Sequence, residues 1–231
     1  MHILVIDGNH VEAEFRAKFG PAHEYSFWNS NPPETAAAWE ATEKQAQQLA
    51  KNANVIFTFG ENIWGEFLES RKPSTPYFSE KSSAKAVQVG ERFQPFFGFC
   101  GLPTLLNRPL FEVSLHHEAD REKLAETCAA LGTDYRMVAD RVGLVTPRVI
   151  CQIINEACFT VQEGTATMQD VDLGMKLGTN YPHGPFAWAN AIGVERVYAV
   201  LEAMWQDTHD ERYKVCPLLK RQALCGEPFA L

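Results

Sequence analysis

The sequence is short of positive charge. Lysine and arginine total 21, aspartate and glutamate total 29, and the formal net charge at pH 7 is −8. A surface with this balance repels the phosphate backbone of nucleic acids and the headgroups of anionic membranes. We therefore expect neither a nucleic acid nor a membrane as a partner.

Long apolar runs are also missing. No stretch approaches the roughly 18 consecutive apolar residues of a membrane-spanning helix, and no basic segment followed by an apolar one opens the chain. The six cysteines form no C-x-x-C pair, which favours reduced thiols over a disulfide framework. Together these absences predict a cytoplasmic protein.

What the sequence does contain is an alternation of strand and helix patterns in its first half. Hydrophobic residues make up 45% of the 231 positions, enough for one good core or two modest ones. We predict strands at 2–6, 24–28, 54–59, 76–78, 111–115 and 135–139, and helices at 11–19, 34–51, 63–69 and 119–131. This alternation is typical of a parallel, doubly wound sheet.

The second half has the three-and-four apolar spacing of helices. The first of these helices is predicted to begin with Thr146 as N-cap and Pro147 in its first turn, and to end at Gly164. Thr167 with Asp170 resembles a capping box for the next helix, and Gly178 is predicted as its left-handed C-cap. We place the domain boundary so that residues 1–140 form a compact α/β domain and residues 141–231 a helical domain.

A series of short motifs in the helical half is specific enough to suggest a family. In order they are N-E-A at 155–157, E-G at 163–164, D-V-D-L-G-M-K-L-G at 170–178, P-H-G-P-F at 182–186 and I-G at 192–193. This order resembles the C-terminal domain of the 3-hydroxyacyl-CoA dehydrogenases. The likeness runs from about Asp140 to Leu219, and a looser one extends back to Met1.

The resemblance implies a Rossmann-like α/β domain followed by an all-α domain. It further implies NAD as cofactor, an acyl-CoA ligand, and a homodimer that forms through the helical domain. No metal ion is implied.

The dinucleotide fingerprint departs from this family. A Rossmann first turn needs G-x-G-x-x-G for a tight turn and close approach to the pyrophosphate, and the three glycine places hold Asp7, Asn9 and Glu12. Gly8 still permits a turn, but a carboxylate a few ångströms from a pyrophosphate costs on the order of 1 kcal/mol or more. Asn29 stands where an acidic residue would hold the ribose. We predict impaired NAD binding, with an unusual turn as the alternative.

The catalytic positions implied by the resemblance are half replaced. Glu112 and Ser82 match the family's glutamate and serine, whereas Cys100 stands in place of the catalytic histidine and Pro147 in place of an asparagine. A thiol beside a carboxylate is a poor base, and proline donates no hydrogen bond. Each retained residue has a second interpretation. Glu112 is either an acid/base or a relic charge, and Ser82 with Ser83 either binds oxygen or forms a turn.

Other candidates carry weaker signals. His116 and His117 invite a metal site, but neighbouring residues at a strand end are expected to point to opposite faces. His183 either meets a ligand or faces solvent, and Cys151 with Cys158 is assigned to the core. Lys81 and Lys85 could meet a CoA phosphate, although such lysines are usually solvated.

Three functions stay open at this point. The first is NAD-dependent oxidation of a 3-hydroxyacyl-CoA, with weak or lost activity. The second is a non-catalytic protein that binds an acyl-CoA or a protein partner. The third is a dimerisation partner for a full-length dehydrogenase.

Overall fold

The computed structural model describes residues 1–30, 36–60, 69–83 and 94–231. Its strands are β1 (His2–Ile6), β2 (Glu24–Trp28), β3 (Val55–Thr58), β4 (Tyr77–Glu80), β5 (Phe96–Phe99), β6 (Leu110–Leu115) and β7 (Asp134–Val138). Its helices are α1 (Glu12–Phe19), α2 (Ala36–Asn52), α3 (Arg121–Leu131), α4 (Thr146–Gln162), α5 (Met168–Thr179), α6 (Pro185–Ile192), α7 (Val194–Thr208) and α8 (Pro217–Cys225). The predicted helix at 63–69 falls almost entirely outside the described residues.

The strands form one seven-stranded sheet in the order β2-β1-β3-β4-β5-β6-β7. All neighbouring pairs are parallel except β5 and β6, which run antiparallel. The predicted parallel, doubly wound sheet is therefore confirmed, with one antiparallel pair that involves the unpredicted strand β5. The chain reverses there because a connector without a helix, residues 100–109, joins two neighbouring strands and cannot make a parallel crossover.

Helices cover both faces of this sheet, which is the doubly wound arrangement that the alternation predicted. Ile3 and Val5 of β1 pack on one face with Phe15 of α1. Leu4 and Ile6, which alternate with them, pack on the other face against Ala46 and Ala50 of α2. Buried strands with apolar residues on both sides need such a two-sided cover, and the fold is Rossmann-like.

The C-terminal helices pack around a core of their own. The apolar stripe of α4 meets α6, α7 and α8 there, and the core includes Cys151, Ile154, Cys158, Trp188, Val197 and Leu201. The assignment of Cys151 and Cys158 to the core is thus confirmed. Across the described parts of the chain, each helix is too short or too polar for a bilayer crossing.

The β5–β6 connector, residues 100–109, belongs to both halves. Its side chains Cys100, Leu102 and Leu105 lie in the helical core, while Leu106 lies in the sheet core. Thr104 receives a hydrogen bond from the Trp188 indole at 2.8 Å, and its amide donates to Glu14 of α1 at 2.7 Å. One loop therefore ties the sheet to the helices.

Two predicted helix ends are wrong in detail. Helix α4 has Val145 rather than Thr146 at its N-cap, and the Thr146 hydroxyl accepts a hydrogen bond from Arg108 at 2.9 Å instead. Helix α5 continues through Gly178, and Asn180 takes the left-handed C-cap conformation at φ 56°. The N-cap of α5 is as predicted, because the Thr167 hydroxyl accepts from the Asp170 amide at 3.1 Å.

Candidate active site and cofactor turn

The turn after β1 is where a dinucleotide would meet the sheet. Strand order reverses between β1 and β3, and ligands of open α/β sheets bind beyond the carboxyl ends of the strands at such a reversal. Asp7, Gly8 and Asn9 form this turn, and Asn29 follows the neighbouring strand β2. The structure thus brings the four predicted cofactor positions to one edge of the sheet.

Asp7 occupies the middle of that edge. Its backbone is left-handed at φ 58°, a conformation that aspartate tolerates better than most residues. Its carboxylate accepts hydrogen bonds from the Ser30 amide at 2.7 Å and the Ser30 hydroxyl at 2.6 Å. A side chain built on Gly60, just beyond β3, would place its Cβ 3.0 Å from the same carboxylate. Asp7 therefore spans the space between the ends of β2 and β3.

A pyrophosphate does not fit this turn. Backbone amides would normally face the phosphates here, but the Asp7 carboxylate presents negative charge at the same place. Gly8 does not restore the missing glycines, because it is used for packing. A Cβ on Gly8 would lie 2.5 Å from Val5 and 2.7 Å from Phe59.

The four predicted catalytic positions meet at a second place along the same edge. Ser82 follows β4, Cys100 follows β5, Glu112 lies in β6 and Pro147 lies in the first turn of α4. The Cys100 amide donates to the Glu112 carbonyl at 3.2 Å, which joins two of these positions directly. Their roles stay predictions, but the likeness in sequence corresponds to proximity in space.

Cys100 is a poor base in this setting. Its side chain is buried, and burial raises the pKa of the thiol well above its usual range. Nearby Glu80 and Glu112 raise this pKa further, since a thiolate would be repelled by their charge. The thiol therefore stays protonated at neutral pH and cannot take a proton from a hydroxyl group.

Glu112 has a structural partner. Its carboxylate accepts from the amide of Val145 and, at 3.1 and 3.2 Å, from the amide of Thr146. These are the free amides at the start of α4, where a negative charge is favoured by the helix dipole. Of the two interpretations given to Glu112, the satisfied charge is therefore the one with a contact to support it.

Ser82 and Pro147 are both buried. The Ser82 hydroxyl lies beside Glu80 and Cys100, where its proton lowers the pKa of both groups and so partly offsets the effect of burial. Pro147 sits one residue beyond the amide that Glu112 binds, in the helix position where proline is preorganised.

Glu80 is a residue of this site that the sequence did not single out. It ends β4, and its Oε1 accepts from the Ser82 amide at 2.9 Å and the Gly101 amide at 3.3 Å. Burial raises the pKa of the Glu80 carboxyl in spite of these bonds. One feature of the sequence could have indicated this residue: Glu80 is an acidic residue at the end of the otherwise buried strand Tyr-Phe-Ser-Glu.

His116 and His117 lie just beyond the end of β6. The rings of His116 and His117 contact each other with centroids 4.4 Å apart, so the expectation that they point to opposite faces is wrong. Strand alternation has ended there, because β6 stops at Leu115. Within the described ranges, no three His, Cys, Asp or Glu side chains converge as a metal site requires.

Two further expectations concern Lys81 and His183. Lys81 is buried, with its ammonium group 5.4 Å from the centre of the Phe96 ring, so the solvated interpretation is wrong for this lysine. Lys85 lies outside the described residues. The His183 ring packs on Trp188 at 5.7 Å between centroids.

The helical half of the chain matches a known protein family. Residues 143–228 match the model of the 3-hydroxyacyl-CoA dehydrogenase C-terminal domain. A 93-residue region is 41% identical to the 3-hydroxyadipyl-CoA dehydrogenase of Escherichia coli, covering 40% of this chain and 20% of that protein. A longer region of 170 residues is 26% identical to the 3-hydroxybutyryl-CoA dehydrogenase of Bradyrhizobium diazoefficiens, covering 71% of this chain and 58% of that one.

These matches support a 3-hydroxyacyl-CoA dehydrogenase-like chain, in which the family model itself is matched by the helical half. Its fold is similar to that of the (S)-3-hydroxybutyryl-CoA dehydrogenase PaaH1 from Ralstonia eutropha, with a TM-score of 0.71 over 97% of this chain and 94% of that chain at 18% identity. The match with each of the two curated relatives covers less than two thirds of that relative's length.

The motifs of this 3-hydroxyacyl-CoA dehydrogenase-like chain have structural roles in the helical half. Asn155 of N-E-A donates to the Lys214 carbonyl at 3.0 Å and accepts from the Cys216 amide at 2.8 Å. Asp172 of D-V-D-L-G accepts from the Phe186 and Ala187 amides at 2.7 and 2.9 Å. Asp172 thereby caps α6, which begins within the P-H-G-P-F motif.

Proposed function

We propose that this 3-hydroxyacyl-CoA dehydrogenase-like protein binds an acyl-CoA thioester but has little or no dehydrogenase activity. The observation that carries this proposal is the Asp7 carboxylate, held by Ser30 at the turn where NAD phosphates would lie. Without a bound nicotinamide there is no acceptor for a hydride. An acyl-CoA ligand is supported by the curated relatives, whose names specify CoA thioesters.

The catalytic edge supports the same proposal independently of NAD. Cys100 holds its proton, and Glu112 is engaged by the start of α4. Loss of a positioned general base typically reduces a rate by about 10²–10⁴. Restoring a histidine with Cys100→His should therefore not restore turnover while Asp7 blocks the cofactor.

The test is a fluorescence titration with NADH, using the five tryptophans as donors, beside a calorimetric titration with acetoacetyl-CoA. We expect no saturable NADH binding up to the millimolar range and saturable binding of the thioester. Micromolar NADH binding would contradict the proposed loss of activity, and folded protein without thioester binding would contradict the proposed ligand.

A matched variant shows whether Asp7 is the cause. Asp7→Asn keeps an acceptor for Ser30 and tolerates the left-handed backbone, but removes the charge. We expect saturable NADH binding to appear in this variant, because removing the repulsion strengthens binding by at least about fivefold, the equivalent of ~1 kcal/mol. Unchanged NADH binding in a folded Asp7→Asn protein would show that another feature excludes the cofactor.

A second function, self-association, is favoured by one surface. Helix α5 has no buried residue, and its Leu173 and Leu177, four residues apart, are 57% and 77% exposed. We propose that a second copy of this chain covers these side chains, since a pair related by twofold symmetry buries the same apolar stripe on both partners.

Light scattering after size-exclusion chromatography tests the proposed pairing. Leu177→Lys should give a monomer, because it places a charge in the contact. Leu224→Lys on α8 is the matched control, since Leu224 is 70% exposed but lies outside the proposed surface. A wild-type monomer, or a dimer that Leu177→Lys leaves intact, would rule out this surface.

A further inference from the structure

Two buried cysteines of the helical half have no role in the site described above. Cys158 lies on α4, and Cys216 is the N-cap residue of α8. Both side chains belong to the helical core, and both carry a free thiol. The contacts that α4 makes with Cys216 show where the two sulfur atoms lie.

Two side chains of α4 hold Cys216 from either side of Cys158. The Asn155 side chain accepts a hydrogen bond from the Cys216 amide at 2.8 Å, and the Gln162 side chain accepts one from the Cys216 thiol at 3.5 Å. Positions 155, 158 and 162 share one face of the helix, because they are three and four residues apart. Cys158 therefore lies between the two contacts, on the face that Cys216 covers.

The direction of the Gln162 side chain brings the two sulfur atoms together. Side chains of a helix lean toward its N-terminus, so the amide group of Gln162 lies over the preceding turn, which contains Cys158. The Cys216 sulfur contacts that amide group. Burial raises the pKa of the Cys158 thiol, and the charge of a Cys216 thiolate raises it further, as expected of neighbouring groups.

Cys216 is the better nucleophile of the two. Burial raises the pKa of its thiol, but the amides of Leu218 and Leu219 at the start of α8 lower it, because their N–H groups stabilise a thiolate. Two nearby glutamates raise this pKa by smaller amounts. Cys158 has no amides of this kind to offset its burial.

A small oxidant can reach this pair. Lys214 and Pro217 lie on either side of Cys216 in the chain and are exposed, so the buried sulfur lies next to the surface. Small local openings of a folded protein are common at such places. A molecule with two oxygen atoms needs far less opening than a bulky thiol reagent.

We propose that Cys158 and Cys216 form a peroxide-sensitive dithiol, a modification site that converts reversibly to a disulfide between α4 and the start of α8. The co-reactant is a hydroperoxide, of which hydrogen peroxide is the simplest. This inference goes beyond the proposed function and does not depend on acyl-CoA binding.

The reaction has two steps. The Cys216 thiolate attacks one oxygen of hydrogen peroxide, the O–O bond breaks, one water leaves, and Cys216 becomes a sulfenic acid. The Cys158 thiolate then attacks the Cys216 sulfur, the S–S bond forms, and the sulfenic oxygen leaves as a second water. The two thiols lose two protons and two electrons in all, and the peroxide is reduced to two waters.

The test uses the full chain with Cys225→Ser, which removes the exposed thiol. The protein is reduced, treated with hydrogen peroxide, denatured in iodoacetamide and digested without reductant for mass spectrometry. We expect one intramolecular disulfide, found as a linked pair of peptides that contain Cys158 and Cys216. Dithiothreitol should restore both thiols.

Three variants assign the roles of the two thiols. Cys158→Ser should stop the reaction at a sulfenic acid on Cys216, which dimedone traps, because the second thiol is gone. Cys216→Ser should leave Cys158 as a free thiol. Cys151→Ser is the matched control, since Cys151 is buried on the same face of α4 two turns earlier and should not affect the disulfide.

Three results would overturn the proposal. The first is a folded Cys225→Ser protein that yields no linked peptides of Cys158 and Cys216. The second is a sulfenic acid on Cys216 that persists although Cys158 is present, which would show that the sulfurs are too far apart. The third is oxidation of Cys158 that Cys216→Ser leaves unchanged. Circular dichroism of each variant verifies that the fold is kept.

Discussion

The start of α6 and the turn after β1 differ in what their polar side chains bind. At α6, Asp172 binds two backbone amides of the same chain, and the surrounding motif matches the family. At the turn, Asp7 binds Ser30 at a position where the sequence resemblance predicts a glycine. In this chain the matched motif holds the chain's own backbone, whereas the predicted cofactor turn holds a carboxylate that binds Ser30.

Glu112 lies between these two cases, because it is a predicted catalytic residue that binds backbone amides. The sequence resemblance predicts a catalytic role for Glu112, yet in this structure it binds the first amides of α4 as Asp172 binds those of α6. Glu112 therefore has a structural role that does not require a histidine at position 100. The following predictions test this division, beginning with the largest expected effect.

Asp172→Ala should lower the free energy of unfolding by about 2–3 kcal/mol. The substitution removes two charge-assisted hydrogen bonds and leaves two amides at the start of α6 without a partner. Urea denaturation measures the loss. Thr167→Ala at the exposed N-cap of α5 is the control and should lose about 1 kcal/mol. Equal losses in the two variants would contradict the structural importance given to Asp172.

Glu112→Ala should lower the free energy of unfolding by about 2 kcal/mol, because the start of α4 loses its acceptor. Glu112→Gln should lose about half as much, since it keeps an oxygen but not the charge. Both are measured by urea denaturation. A Glu112→Ala protein as stable as the wild type would place Glu112 with the ligand-facing residues instead.

Gly184→Ala should lower the free energy of unfolding by about 1–3 kcal/mol. The added Cβ would lie 2.3–2.6 Å from atoms of Asp172, including its Cα, and would displace the cap. Gly174→Ala on α5 is the matched control, because its Cβ would meet nothing within 4 Å and alanine favours the helix by about 1 kcal/mol. Thermal melts of the two variants should therefore move in opposite directions.

Thiol labelling should show that Cys100 is unreactive, and it should not change the stability of the protein. Cys225 is exposed, whereas the other five cysteines are buried, and burial raises the pKa of Cys100 well above its usual range and that of Cys128 to about 12. At pH 8 a thiol reagent should label one site rapidly, and Cys225→Ser should abolish that phase. Rapid labelling of Cys100 would show an activated thiol.

Much of the fold could be predicted because it follows from local patterns. Strand β2 falls on the predicted residues 24–28, and α1 and α3 agree to within a few residues. Strand β5 was missed because its run is only four residues long and contains Gly98, a residue that is depleted in strands. The antiparallel pair β5 and β6 depends on how the connector returns, which no local pattern records.

The candidate site was predicted only as a set of aligned positions. The sequence resemblance predicted Cys100, Glu112 and Pro147 as catalytic positions. The structure places all three around the start of α4. The resemblance could not show that Glu112 already has amide partners, because those amides belong to Val145 and Thr146, which are 33 and 34 positions away. Glu80 was missed for the same reason, since its second partner, Gly101, is 21 positions distant.

The β5–β6 connector also bears on how the protein unfolds. Its side chains fill part of the helical core, and Thr104 binds both α1 and α6. The helices therefore cannot keep their packing once the sheet is lost, and the sheet cannot release the connector without opening the helices. The two halves should melt in one cooperative transition, and residues 143–231 expressed alone should lack a stable core.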